Sequence, residues 1–383
     1  MHKTNLDIKE NNEAVIIKAI IESKSISRAQ LSVLTGLTKP SVTTITKRLL
    51  DSSLIEEHEI GTPSSLGGRK PIMLKFNPKS ALSIGINIRE DGFDGTLNFL
   101  DGAVIDHFSK NKITISEENT LQELVAMLNM FFLNLPSTPH GVIGITISIH
   151  GTVENNKIIF VPHYSLDSID LVEEISKIFM VPVYLENGAN LAALAEYAFS
   201  TKYDNLISLN VYGGIGAGII EKGELLIGHN GQGGEVGHTT LYPNGKLCPC
   251  GNHGCLEQYA ANDIVISTIE KKLQRKSISL SEVKDLYYQN NQIVVNSINE
   301  MAYHLSIGVQ SLVAIIAPDI IFLNNPLSKE IPEILKILND HLSSRFSKDT
   351  TVLNSPLGYN AIQLGTTINN TQRFLNVKNL KFI

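Results

Sequence analysis

In the first eighty positions, apolar residues recur at helical intervals separated by short polar stops. Between residues 12 and 23 the order NEAVIIKAIIES places Ile16, Ala19 and Ile20 on one face, which predicts an amphipathic helix. The pattern breaks at Ser25, Ile26 and Ser27. Ser27 is positioned to cap a second short helix from Arg28 to Thr35, and Gly36 ends it. Thr38 is positioned to cap a third helix, with Lys39 and Pro40 in its first turn, where proline costs little. In that helix Val42, Ile45 and Leu49 recur at i, i+3 and i+7 and should pack inward. Thr43, Thr44 and Lys47 then face away, beside Ser41 at the exposed start. LIEE at 54–57 and MLKF at 73–76 read as short strands. Between them lies a Gly-, Pro- and Ser-rich tip, residues 61–71, that carries Gly67, Gly68, Arg69 and Lys70.

The rest of the chain changes period. Residues 80–110 and 141–162 are β-rich, with helical patterns at 121–134 and 169–180. A hairpin pattern spans 205–228, a long helix 296–317, and a last helix 359–375.

Composition fits this picture: 43% apolar and 18% charged residues over 383 positions describe a globular chain of two or three domains, not a disordered one. No apolar run approaches the ~18–20 residues that span a bilayer. The opening MHKTNLDIKENNEAV lacks the apolar core of a secretion signal, so the expected location is cytoplasmic and no membrane partner is expected. Charge is uneven. Residues 1–80 carry 12 Lys and Arg against 8 Asp and Glu, and the remainder carries 20 against 30, giving the overall −6. A mildly basic head on an acidic body fits nucleic-acid binding, although a chance fluctuation of this size also fits.

Two short helices joined through a Gly-containing turn, the second polar on its outer face, form a helix-turn-helix pattern. Its second helix can enter the DNA major groove by its N-terminus. Candidate DNA contacts are Arg28, Thr38, Lys39, Ser41, Thr43, Thr44 and Lys47, whose hydroxyls and ammonium groups reach bases and phosphates. The 61–71 tip reads as a wing: its glycines permit close backbone approach, and Arg69 and Lys70 suit a narrow minor groove. A small helical bundle with a solvated face and a flexible linker would share these patterns.

The three cysteines, Cys248, Cys250 and Cys255, fall within eight residues, in CPCGNHGCLE. An odd number argues against a disulfide framework. With His238, ten residues before Cys248, they give H-x9-C-x-C-x4-C, one imidazole and three thiolates. That donor set suits a closed tetrahedral structural Zn²⁺. Gly251 and Gly254 permit the tight loop, and three unpaired thiols beside a core histidine are the plainer alternative.

The order ISRAQLSVLTGLTKPSVTTITKRLLDSSLI, followed by SSLGGRKP and LKFNP, resembles the winged helix-turn-helix of the ROK family (repressors, open reading frames, sugar kinases). The likeness covers nearly the whole chain and is greatest to its xylose-repressor branch. It extends to the cysteine motif, which is similar to the ROK zinc site. It also extends to four segments resembling the family's sugar-binding half: GITISIHGTVENN (144–156), LENGANLAALAEY (185–197), GQGGEVGH (231–238) and GCLEQYA (254–260). In the first, His150 stands where the family usually has proline, and Gly151 is kept. The resemblance implies sugar contacts from Gly151, Asn187, Glu235, His238 and Glu257, with His163 and Tyr164 as further candidates. Carboxylates there accept from sugar hydroxyls, and Asn187 can both donate and accept.

The resemblance also implies what is missing. The first phosphate loop, normally Asp-x-Gly-x-Thr, reads SIGINIREDG at 83–92, with Asn87 in the first slot. The catalytic aspartate that normally follows the motif's Asn is Gly188, which cannot take a proton from a sugar hydroxyl. The second phosphate loop lacks its threonine at Tyr212–Gly216, and Asn324 and Asn325 replace a glycine pair near the adenine. All four changes fall on ATP or catalysis. The implied fold is an N-terminal winged helix-turn-helix (residues 1–78) joined to a two-lobed actin-like α/β domain. Its first lobe would span 79–192 plus 358–383, and its second, with the zinc loop, 193–357. The implied function is a sugar-responsive repressor with structural zinc and no enzymatic activity. It would act as a homodimer or tetramer on operator DNA and release it when a monosaccharide binds between the lobes. A residual ATP-dependent sugar kinase, or a repressor governed by a protein partner, are the rival readings.

Overall fold

The computed structural model describes residues 5–60, 70–162, 166 and 169–383. Each predicted helix of the head is present. Helix α1 (Asn5–Ser23) starts earlier than its apolar periodicity shows, because the added turns place Leu6 and Ile8 two apart among polar residues, off the helical period. A two-residue strand β1 (Ile26–Ser27) follows, then α2 (Arg28–Thr35) and α3 (Lys39–Asp51). Ser27 caps α2 in a reciprocal capping box with Gln30, and Gly36 ends it at φ +70°. The Thr38 side chain caps α3. Val42, Ile45 and Leu49 are buried as the spacing predicts. Strands β2 (Ile55–Ile60) and β3 (Ile72–Phe76) pair antiparallel, and β1 joins the other edge of β3. Three helices and a three-stranded sheet thus give the winged helix-turn-helix architecture. Gly67, Gly68 and Arg69 lie outside the described residues, and Lys70 is exposed.

Next along the chain come β4 (Leu82–Arg89), β5 (Gly92–Phe99), β6 (Val104–Asn111), α4 (Thr120–Leu133) and β7 (Val142–Ile149). A short hairpin, β8 (Thr152–Glu154) and β9 (Lys157–Phe160), precedes α5 (Leu171–Phe179), β10 (Val183–Asn187) and α6 (Gly188–Phe199). The first five-stranded sheet has the order β10-β7-β4-β5-β6, with β4 and β7 parallel. Strands β11 (Leu206–Val211), β12 (Ile215–Glu221) and β13 (Glu224–Leu225) open the second. After α7 (Glu257–Ala260), α8 (Asn262–Leu273), α9 (Leu280–Tyr288) and the 25-residue α10 (Gln292–Ile316) come β14 (Ile320–Asn324), α11 (Pro326–Glu330), α12 (Glu333–Asp340), β15 (Thr351–Asn354) and α13 (Ala361–Leu375). The second sheet runs β13-β12-β11-β14-β15. The chain is therefore a helical winged head followed by two mixed α/β sheets.

By packing, the chain forms two compact units. One takes residues 1–149, 164–186 and 363–383, the other residues 150–163 and 187–362. In the first unit the head is built into the sheet unit. Its buried Ile20, Leu49, Ile55 and Phe76 share one hydrophobic cluster with Leu100, Ile143, Leu375, Val377 and Leu380. A polar contact reinforces the joint: His140 Nε2 lies 2.7 Å from Ser52 O, beside Ser53 O, which accepts from Asn77 Nδ2 within the head at 2.9 Å. Helix α13 is held to the sheet by buried amides. Asn370 Nδ2 donates to Ser83 Oγ (2.8 Å) and Gly144 O (3.1 Å), and Asn370 Oδ1 accepts from Thr146 Oγ (2.7 Å). Each such group would cost about 1–3 kcal/mol if left unpaired, so the network fixes the register of α13 on the sheet.

Candidate functional site

The cysteine loop is folded by close backbone approach. Isolated bridges pair Thr240 with Cys255 and Leu247 with His253. Gly254 sits at φ +76° with a would-be Cβ only 1.7 Å from Tyr242 O, so no side chain fits there. The fold brings together His238, Cys248, Cys250 and Cys255, whose donor atoms all lie within 4.8 Å of one another. Cys250 Sγ is 3.7 Å from Cys255 Sγ, and Cys248 Sγ is 3.5 Å from His238 Nδ1. This is the predicted quartet, and three thiols with one imidazole at tetrahedral-sized spacing fit a closed metal centre. Burial, and after it the hydrogen bond to Glu257, pushes the Cys248 thiol up, so it donates to Glu257 Oε1 at 3.0 Å. Metal binding would displace that proton.

Residues outside the sequence motif clamp this loop. Tyr242 Oη lies 2.9 Å from His304 Nε2 on α10, and the Tyr242, Tyr259 and His304 rings meet edge to face. Tyr259 Oη accepts from Lys246 N at 2.8 Å. Nothing in the local sequence signals His304, because it reaches the loop across 62 residues.

His238 also faces carboxylates. Its Nδ1 is 3.6 Å from Glu257 Oε1, and its Nε2 is 3.8 Å from Glu235 Oε2. One imidazole thus joins the metal cluster to two of the predicted sugar acceptors. Glu257 is buried, at 8% exposure, as the first residue of α7. Burial raises the Glu235 pKa first; His238 opposes that shift and Glu257 adds to it.

Asn187 and Gly151 meet at a second point of the same unit. Asn187 Oδ1 caps α6 by accepting from Ala189 N (2.7 Å) and Asn190 N (3.2 Å), and its Nδ2 donates to Gly151 O (2.7 Å). The cap uses the oxygen, so Asn187 braces the turn as well as offering polar atoms. Gly151 has no room for a side chain: a Cβ there would stand 2.2 Å from Phe160 O. The segments that carry the two groups both border β12: Gly216 lies against Ala189, and Gly237 lies against Ile215 O. His163 and Tyr164 lie outside the described residues.

Gly188 is the first residue of α6 and brings no carboxylate to its N-terminus. Tyr212, Gly213 and Gly214 form a tight turn between Val211 and Ile215, closed by Tyr212 N donating to Gly214 O at 2.9 Å. A pocket there is lined by Tyr212, Asn324, Asn325, Lys329 and Tyr359 among others. Asn325 Oδ1 caps α11, while Asn324 Oδ1 and Asn325 Nδ2 are buried without a partner. Arg89, at the end of β4, is pinned by Asp94 and Asp91.

In the head, Thr43, Thr44 and Lys47 line the exposed side of α3, with Thr38 and Lys39 at its start and Ser41 half-buried beside them. The Thr43 and Thr44 hydroxyls donate to Lys39 O and Pro40 O. Arg28 sits differently. Its Nε donates to Thr46 Oγ at 3.1 Å and its guanidinium pairs with Glu57 Oε1 at 3.0 Å, so it ties α2 to α3 and β2.

Known proteins share both halves of this arrangement. The ROK family sequence profile matches residues 84–368. The xylose repressor of Bacillus spizizenii is 34% identical over 377 residues, covering 97% of each chain. The crystal structure of a ROK family transcriptional regulator, a homologue of the Escherichia coli MLC protein, superposes with a TM-score of 0.80 at 25% identity, over 96% of this chain and 97% of that one. A ROK family glucokinase from Streptomyces griseus, solved with glucose and AMPPNP, shares the fold at a TM-score of 0.66 and 23% identity, over 75% of this chain and 98% of that one. The regulator matches the head as well as the sheets, the kinase three quarters of the chain, and the family profile covers residues 84–368: the chain belongs to the ROK family.

Proposed function

We propose that this protein is a sugar-responsive, DNA-binding transcriptional repressor of carbohydrate-utilisation genes. The observation that carries this reading is a winged head with an exposed polar face on α3, joined to a unit in which Glu235, His238 and Glu257 converge without a phosphoryl-transfer base beside Asn187. The end-to-end likeness to a xylose repressor supports it.

The head reads operator DNA through α3. Lys39 and Lys47 neutralise phosphates, while Ser41, Thr43 and Thr44 approach base edges. Gly67, Gly68, Arg69 and Lys70 supply the minor-groove contacts. Heads from a homodimer, or from a tetramer of two dimers, match a palindromic operator. No helix of the described residues is long and apolar enough to cross a membrane.

The metal is Zn²⁺, held by His238, Cys248, Cys250 and Cys255, and it supplies a structural cross-link. With Nδ1 committed to that centre, His238 keeps Nε2 for a sugar hydroxyl, next to Glu235 and Glu257. An unmatched buried acceptor costs about 1–3 kcal/mol, enough to sort epimers. Xylose is the leading effector, since the repressor that aligns end to end is named for it. Sugar binding favours the conformation with low operator affinity, with a coupling of about 1–3 kcal/mol, or roughly 5–150-fold. Gly188 in place of a general base leaves the bound sugar unphosphorylated.

The test is fluorescence anisotropy of the full chain on DNA from upstream of its own gene, at fixed salt, with xylose, glucose and other monosaccharides. Release by one sugar is expected. Binding that no sugar reverses would favour control by a protein partner. ATP consumption with a sugar panel would restore the kinase reading. Gly151→Val should leave operator affinity unchanged and abolish release, because its side chain collides with Phe160 O.

A further inference from the structure

The three sulfurs of the cysteine loop meet solvent unequally. Cys248 and Cys255 are buried, whereas Cys250 is exposed. Cys250 stands on the outward turn before Gly251, where φ is +89° and a Cβ built on the glycine would have nothing within 4 Å. The sulfurs also differ in partners. Cys248 is turned toward Glu257 Oε1 (3.0 Å), with Gln258 Nε2 3.8 Å from its sulfur. Cys250 Sγ is instead 3.7 Å from Cys255 Sγ. The loop therefore presents one exposed sulfur, Cys250, with the buried Cys255 sulfur in reach behind it, while the buried Cys248 is turned toward Glu257.

We propose that Cys250 and Cys255 form a peroxide-sensitive pair, whose oxidation to a disulfide opens the metal centre. The chemistry needs hydrogen peroxide as oxidant. The Cys250 sulfur, as thiolate, attacks one peroxide oxygen; an S–O bond forms, the O–O bond breaks, and the hydroxide that leaves takes up a proton to become water. The Cys255 thiolate then attacks the sulfenic sulfur of Cys250. The S–S bond forms, the S–O bond breaks, and the second hydroxide leaves as water after taking a proton. Two electrons pass from the sulfurs to one peroxide, and two protons are consumed. Two of four ligands are withdrawn, and His238 and Cys248 alone hold zinc poorly. A thiol reductant such as glutathione reverses the step, with two of its thiols oxidised to a disulfide. Resting on the sugar-repressor reading, loss of the metal frees the His238 imidazole beside Glu235 and Glu257, so an oxidised repressor keeps its operator and stops answering sugar.

The experiment uses the zinc-loaded full-length protein. Peroxide is added, zinc release is followed with a chromophoric chelator, and the thiols are mapped by alkylation and peptide mass spectrometry. Stoichiometric zinc release is expected, with a disulfide between Cys250 and Cys255 and Cys248 still open to alkylation. Reductant plus zinc should restore all three thiols. The Cys250→Ser variant should form no disulfide; because it also weakens the metal site, the thiol map of the unaltered protein is the deciding measurement. Three free thiols after peroxide, or a disulfide that includes Cys248, overturns the pair. Operator anisotropy with sugar, before and after oxidation, reads the consequence. A sugar response that survives zinc release overturns the link to induction. Should the reduced protein respond to no sugar, the repressor reading fails by itself, and the thiol map still decides the chemistry of the pair.

Discussion

Glu196, in α6, has no exposed surface, and one of its carboxylate oxygens is buried without a partner. The other accepts from the Ser355 hydroxyl, which in turn accepts from Leu357 N and Gly358 N. Burial raises its pKa, against the opposing pull of Ser200 and Ser355. The folded state therefore holds this proton more tightly than the unfolded chain. The stabilising contribution is complete below the ordinary carboxylate range and is lost as pH rises toward the raised value. Glu196→Gln keeps an acceptor for Ser355 and removes the titration. Its stability should match the parent at pH 4–5 and exceed it at pH 8, as read by urea unfolding at both pH values. Equal stability differences at the two pH values would contradict this. Such a residue is hard to read in advance: in LENGANLAALAEY it looks like one more surface glutamate on a helix. His238 was the opposite case, since its spacing to the cysteines was visible, although its simultaneous contact with Glu235 and Glu257 needed the fold.

At the scale of elements, the legible parts were those whose pattern repeats. Helix α3 announced itself by its cap and by three buried positions at helical spacing, and its exposed side is where those residues placed it. Lys47→Ala should weaken operator binding and reduce the slope of log affinity against log salt by about 1 if it contacts phosphate. Anisotropy across a salt series would show an unchanged slope if it does not. Strand β1 was illegible because two residues carry no period; Ser25 to Ser27 read only as a break, yet Ile26 and Ser27 pair with Leu74 and Met73. Helices α8, α9 and α12 carry little readable period, because each buries only one or two apolar residues: Val265 and Ile269, Val283, and Ile334 and Leu338. The cysteine loop was legible as a ligand set and illegible as a clamp, since Tyr242 and His304 meet only in three dimensions. Removing the metal with a chelator should lower the melting temperature by several degrees, about the effect of 1–2 kcal/mol in a chain of this size. His304→Ala should reduce zinc affinity without touching a ligand, measurable by competition with a chromophoric chelator.

For the molecule as a whole, the decisive feature is the hydrophobic cluster that the head shares with Leu100, Ile143, Leu375, Val377 and Leu380. The sequence showed the head as a separate pattern, because helical periodicity is local and the residues that complete its core lie elsewhere. Deleting residues 376–383 removes Val377 and Leu380 from that cluster. Each buried aliphatic side chain is worth about 1.5–3 kcal/mol. The truncated chain should therefore lose operator binding as well as stability. Calorimetry should show the head melting with the first sheet in one transition, and limited proteolysis should release no stable fragment of the first eighty residues. A separately melting head would refute the shared core.

That shared core also sets an order of events in the cell. The DNA-reading surface is made first, and Leu375 to Leu380 are added roughly 300 residues after it, on the order of 15–60 s at 5–20 residues per second. Until they arrive the head lacks part of its own interior. A nascent chain, or one ended before these residues, would leave its operator alone, so the capacity to silence a gene waits for Leu375 to Leu380 to be made.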